Sequence, residues 1–266
     1  MKKTLYIIII IQILACSEKT RNHDSLNLPK ENQKVENHKI NAEKNIEISL
    51  KEKHFNALLE SIKTYKIQPV DSLVTEYKIS QLENYKIGNN NIQIFKKDSL
   101  NINWIKINSN KILAENLKII NNPTDGGNDK MFCNSLQKVK MYKFNSNNVF
   151  FLEFISRPGT GLGSGVTDYL IYDQNKNQLN LFENFRGADL DFYKFPFNKK
   201  LSYISTNYKG DYHGATPVHI ISKIYSLNSN GKFQLQKDSK GKEYYYEIVT
   251  FSEDQKKDLE YNWNWF

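Results

Sequence analysis

The chain has 266 residues, 37 basic and 29 acidic side chains, a formal charge of +8 and an aromatic content of 13%. The lysines are scattered rather than blocked, so the clustered basic face with aromatic platforms that nucleic-acid binding requires is not expected. Two cysteines exclude a disulfide-stapled scaffold, and a body of this length buries a sufficient core without one.

Read from the amino terminus, Lys2 and Lys3 precede an apolar run from Leu5 to Ala15 that ends at Cys16. A basic start followed by about ten apolar residues has the form of a secretory signal, and it falls short of the roughly 20 residues a membrane span needs. The stretch Ile13-Leu14-Ala15-Cys16 resembles the lipobox of bacterial lipoproteins: an aliphatic residue at −3, a small one at −1, then the cysteine. Leu14 departs from the small residue usual at its position. The resemblance implies cleavage after Ala15, diacylglycerol on the Cys16 thiol and an acyl group on the new amine. Several acyl chains hold a protein stably where one does not. Ser17 after the cysteine resembles cargo passed to the outer membrane in two-membrane bacteria, with periplasmic or surface orientation left open. Loss of residues 1–15 removes Lys2, Lys3 and no acid, leaving +6.

Residues 16–46 are dense in Lys, Glu, Asn and Asp and lack aromatics, which is the composition of a flexible tether. About thirty residues of coil would separate the anchor from the body by roughly 30 Å. Residues 47–266 are expected to form a single β-rich domain. Ser49-Leu50-Lys51-Glu52 has the capping-box pattern, and Phe55, Leu58, Leu59, Ile62 and Tyr65 follow at helical spacing. The pattern predicts an amphipathic helix over about 50–65, packed on a sheet and stopped before Pro69.

Beyond it, short alternating runs separated by Asn, Gly and Asp predict antiparallel strands. They fall at Leu73–Ile79, Ile92–Phe95, Ile102–Ile107, Val139–Phe144, Val149–Ser156, Thr167–Tyr172, Gln178–Phe182, Leu201–Thr206, Val218–Leu227, Phe233–Lys237 and Tyr244–Phe251. Val149–Ile155 is apolar on both faces, as a central strand requires. The order strand, glycine loop, strand, Asn-rich turn, strand occurs over 149–182 and again over 201–237. The fold class expected is mostly β: an antiparallel sandwich or a propeller-like hairpin array, with one amino-terminal helix. The terminal Tyr261–Phe266 places Asn262 and Asn264 where a membrane-barrel strand needs apolar residues, so it reads as an aromatic strand or cap on the domain.

Two glycine-bearing loops are the candidate contact surfaces. The first runs Arg157 to Gly165, with Gly159, Gly161, Gly163 and Gly165 alternating; it lacks the P-loop ending, the GxGxxG spacing and the serine position of a nucleophile elbow. The second, 208–219, mixes Asp211, Tyr212, His213 and His219 with Gly210 and Gly214. Arg157, Gly161, Gly163, Asp211, Tyr212 and His213 are assigned to ligand binding. Acidic loops 124–129 and 187–191 lack the EF-hand order. No metal, cofactor or catalytic set is assigned, and Cys133 reads as a small buried hydrophobe.

The function expected is a non-catalytic, membrane-anchored envelope lipoprotein that binds an envelope protein or polysaccharide, or serves a structural role. Two alternatives stand beside it. One is a secreted hydrolase of an envelope polymer, drawing on Asp168, Asp189, Asp191, Asp211 or His213. The other is a toxin-neutralising immunity protein.

Overall fold

The computed structural model describes residues 49–75, 80–98, 101–121, 135–155, 167–184, 191–210, 217–251 and 259–266. The expected signal (1–15), the expected tether (16–46) with Cys16, and Cys133 lie outside them.

Helix α1 (49–63) opens the described chain and leads to β1 (Asp71–Val74). An outer sheet follows from β2 (Leu82–Ile87), β3 (Asn90–Lys96), β4 (Ile102–Ile107) and β5 (Asn110–Leu113), in that order. A central sheet has the order β1-β6-β7-β8-β9, with β6 Ser135–Phe144, β7 Asn147–Ile155, β8 Thr167–Asp173 and β9 Gln178–Asn184. The third, helix-side sheet contains β10 (Phe192–Lys194), β11 (Leu201–Lys209), β12 (Val218–Leu227), β13 (Phe233–Leu235), β14 (Tyr245–Thr250) and β15 (Leu259–Asn264). Every pairing between these strands is antiparallel.

The period-2 alternation of strands explains how the sheets stack. In the central sheet Leu152, Leu170 and Leu181 pack against Ile92, Ile94 and Ile105 of the outer sheet. The alternate residues Phe151, Ile171 and Phe182 pack against Tyr203, Tyr225 and Phe233 of the helix-side sheet. With both faces covered, β8 and β9 are buried at nearly every position. The double-sided run Val149–Ile155 is accordingly β7, in the middle of the central sheet. The far face of the helix-side sheet receives α1, whose Leu58, Leu59 and Ile62 meet Ile204, Ile224 and Tyr246. Phe55 completes this contact, 4.8 Å from the Tyr261 ring and 6.1 Å from Trp263. The domain is a sandwich of three sheets with one helix among the described residues, and its sheets do not close into a barrel.

The internal echo corresponds to two three-stranded meanders, β7-β8-β9 and β11-β12-β13, which lie in facing sheets rather than around a propeller axis. Their turns pack together: the Asn180 side chain bonds the backbone of Gly231 and Phe233. Gly231 has φ +78°, and a Cβ there would press on the Lys176 side chain, so glycine alone fits this approach.

Three strands were not anticipated: β2, β5 and β10. Strand β2 turns Glu83, Tyr85 and Ile87 inward and Leu82 outward, which obscures its hydropathy pattern. Glu83 is tolerated inside because Lys96 Nζ lies 2.6 Å away and the Tyr85 hydroxyl donates to it at 2.8 Å. Strand β1 stops at Val74, and 76–79 lie outside the described residues. The expected terminal strand is β15, an edge of its sheet, followed by Trp265 and Phe266 on Phe195.

Candidate functional site

One end of the sandwich gathers the ends of most connecting segments. Register places Ser135, Ile155, Thr167 and Asn184 in a single row across the central sheet. These residues flank segments 122–134, 156–166 and 185–190. In the helix-side sheet Lys209, His219, Val249 and Glu260 form the equivalent row, beside segments 211–216 and 252–258. Side-chain bonds join the first row, at Asn184, to the body of β11. Ser205 Oγ donates to Asn184 Oδ1 at 2.8 Å, and Asn184 Nδ2 donates to the Tyr203 hydroxyl. The strand ends that flank 156–166 and 211–216 therefore face the same end of the stack, with Lys209 four residues beyond the level of Ser205. Arg157, Gly161, Gly163, Asp211, Tyr212 and His213 themselves lie outside the described residues, as does Asp189.

At the base of the second loop, Gly210 adopts φ +105°, and a Cβ there would collide with the Pro217 carbonyl. A side chain at this position would force the two stems of 211–216 apart, which gives this glycine a conformational reason.

The end of β9 is bordered by polar groups that the strands hold in place. Asn121 behaves like a short extra strand along β9. Its Oδ1 accepts the Glu183 N–H at 3.1 Å and its Nδ2 donates to the Glu183 carbonyl at 2.7 Å. The same Nδ2 also bonds Ser205 Oγ. Asn121, Asn184 and Ser205 are all buried, and buried polar groups persist where their bonds are made. This network pins the edge of the central sheet to β11.

Charges lie on both sides of the central sheet. On the side facing the outer sheet, Asp168 and Glu183 stand opposite each other on β8 and β9, both buried. Directly opposed residues bring their Cβ atoms within about 4.5–5.5 Å, so the two carboxyls are neighbours. On the other side, Asp191 receives Lys140 Nζ at 2.7 Å, the Lys66 ammonium, and the Tyr142 hydroxyl at 3.3 Å. Burial opposes ionisation of Asp191, but the two lysines outweigh it and hold its carboxyl below the usual range. Glu153 behaves in the opposite sense: burial raises it above the usual range, and Lys138 and Lys140 only partly offset that.

Of the five acid–base candidates, Asp168 and Asp191 lie among the described residues, on opposite sides of the central sheet. The neighbour of Asp168 is Glu183, which sequence reasoning did not single out; its place in the alternation of Gln178–Asn184 was the available signal. His219, considered as a zinc ligand, points its Nδ1 at Glu247 Oε1, 2.8 Å away, and Asn262 donates to the other oxygen of Glu247 at 3.1 Å. Among the described residues no group of three metal-binding side chains occurs, and no helix is long and apolar enough to cross a membrane.

Two depressions mark the described surface away from this end of the stack. One, of about 360 Å³, runs beside Leu117, Leu179 and Phe233 with Lys118 and Lys232 at its border. The other, of about 290 Å³, opens on the outer sheet among Asn84, Gln93, Lys106 and Asn108. Comparison with protein families, curated proteins and solved structures finds no match to this chain.

Proposed function

We propose that this chain is a lipid-anchored envelope protein that binds a partner through the loop-bearing end of its sandwich. Supporting this reading, the strand ends that flank segments 156–166 and 211–216 face the same end of the stack, and Asn121, Asn184 and Ser205 bond the two sheets there. A rigid scaffold that presents several loops at one end is a common arrangement for binding. The amino-terminal Lys2, Lys3, apolar run and Cys16 supply the anchor, and residues 16–46 the leash. The partner is an envelope protein or polysaccharide.

Combined alanine replacement of Arg157, Tyr212 and His213 tests the surface. Crosslinking in intact cells is expected to trap a defined partner on the native protein. The triple variant should lose at least about tenfold in capture, the loss of one contact worth about 1.4 kcal/mol. Undiminished capture by a variant that unfolds at the native temperature removes the surface.

A further inference from the structure

The outward face of the outer sheet is organised in a way that the loop-end reading does not use. Tyr85, Ile87, Ile92, Ile94, Ile105 and Ile107 point into the core, so their alternates point out. Register aligns four of these outward residues in one row across all four strands: Leu82, Phe95, Trp104 and Leu113. Beside it runs a polar row, Asn84, Gln93, Lys106 and Lys111. The depression of about 290 Å³ lies in that polar row. Lys86, Lys106 and Lys111 are the charged residues at outward strand positions, and no acid joins them. Among the described residues, no buried apolar cluster lies on this face.

We infer that this face docks on an anionic lipid surface, with the apolar row entering the headgroup boundary and the polar row taking headgroups. The inference rests on the anchored reading above, which brings the domain to a bilayer. Three observations select lipid over a glycan. First, sugars stack on open ring faces, whereas the Trp104 ring is covered. Phe95 stacks on it at 5.4 Å and 12° from the β3 side, and Lys111 Nζ sits 4.8 Å from its centroid on the β5 side. Second, the row ends are aliphatic, and Leu82 is 42% exposed. Leucine, an indole edge and lysines with apolar stems are the side chains that settle at a membrane interface. Third, three lysines without an acid complement an anionic leaflet, where each basic group adds attraction.

The chain's length is compatible with this orientation. The outer sheet lies at the opposite side of the stack from α1, where the tether joins. Layers about 10 Å apart put roughly 30 Å between them. Residues 17–48 can reach roughly 105 Å when extended, enough to pass around the body.

The test uses the full mature chain, purified from its native membrane and placed in phosphatidylcholine vesicles with and without phosphatidylglycerol. Brominated acyl chains then quench tryptophans at the interface. Quenching is expected in the phosphatidylglycerol vesicles, at least twofold greater than without that lipid. It should vanish in Trp104→Phe, because Trp263 and Trp265 pack on the α1 side. The double variant Lys106→Glu/Lys111→Glu should fall to the level of the neutral vesicles. Quenching that survives Trp104→Phe, or that ignores the lysine reversals, overturns the inference. So does a Trp104 emission shift produced by a soluble acidic polysaccharide but not by vesicles. The mass of the same sample reports acylation of Cys16 separately. Unacylated protein would sink the anchor, and its mixing with the same vesicles would still decide the docking face; acylated protein with Trp104 unquenched sinks docking alone.

Discussion

Replacement of Phe182 by alanine is expected to cost about 4 kcal/mol of stability and to lower the melting temperature by roughly 8–16 °C. Phe182 is fully buried on β9, the strand where the central sheet meets the helix-side sheet. Its ring centroid lies 4.9 Å from Tyr203, 5.2 Å from Tyr225 and 5.8 Å from Phe233, each pair close to edge-to-face. Removal of the ring leaves a cavity among three rigid neighbours that cannot collapse into it, and each aromatic pair adds about 0.5–1.5 kcal/mol beyond burial. Phe251 is the control. Half exposed at the end of β14, it should cost well under about 1 kcal/mol on the same change. Denaturant unfolding of the two variants measures both, and equal small losses would mean that this inter-sheet contact does not hold the sandwich together.

The second large effect is electrostatic. Asp191→Asn should destabilise by about 3 kcal/mol at neutral pH, because removal of one member of a buried ion pair leaves the others uncompensated. Lys66 is 34% exposed and can turn to water, whereas Lys140 is only 13% exposed and cannot do so freely. The pH dependence follows from the direction of the Asp191 shift. Its carboxyl is held below the ordinary range in the folded protein. Its stabilisation is therefore complete above the unfolded value of about 3.9 and fades as pH falls towards the lower folded value. The gap between native protein and variant should be constant from about pH 5 upward and should close in stronger acid. A gap that stays constant down to strong acid would mean that Asp191 acts through shape rather than charge.

The strands that could be read in advance are those whose environment is uniform along their length. Val149–Ile155 announces a central strand because both of its faces meet apolar layers, and α1 announces itself through one stripe of apolar residues. Strand β10 has only three residues. It pairs with β11 on one side, and on the other the Ile67 N–H bonds the Phe192 carbonyl and the Lys194 N–H bonds the Tyr65 carbonyl, contacts more than a hundred residues apart in sequence. Strand β2 was hidden by Glu83, whose burial depends on a lysine supplied by β3.

The candidate site shows the same division. Glycine spacing identified the two loops, whose flanking strand ends face the same end of the stack. The polar network of Asn121, Asn184 and Ser205 was not legible, because Asn121 and Asn184 look like any other turn asparagine until β9 and β11 are brought together. Nor could the Asp168–Glu183 pair be seen, since only the register of β8 against β9 makes them neighbours.

The proposed anchor depends on acylation of the Cys16 thiol. Intact mass of the protein extracted from its own cells tests that most directly. The account predicts a polypeptide beginning at Cys16, heavier than its sequence by diacylglycerol and an amine-linked acyl group. A polypeptide that still begins at Met1, with an unmodified thiol at Cys16, contradicts it.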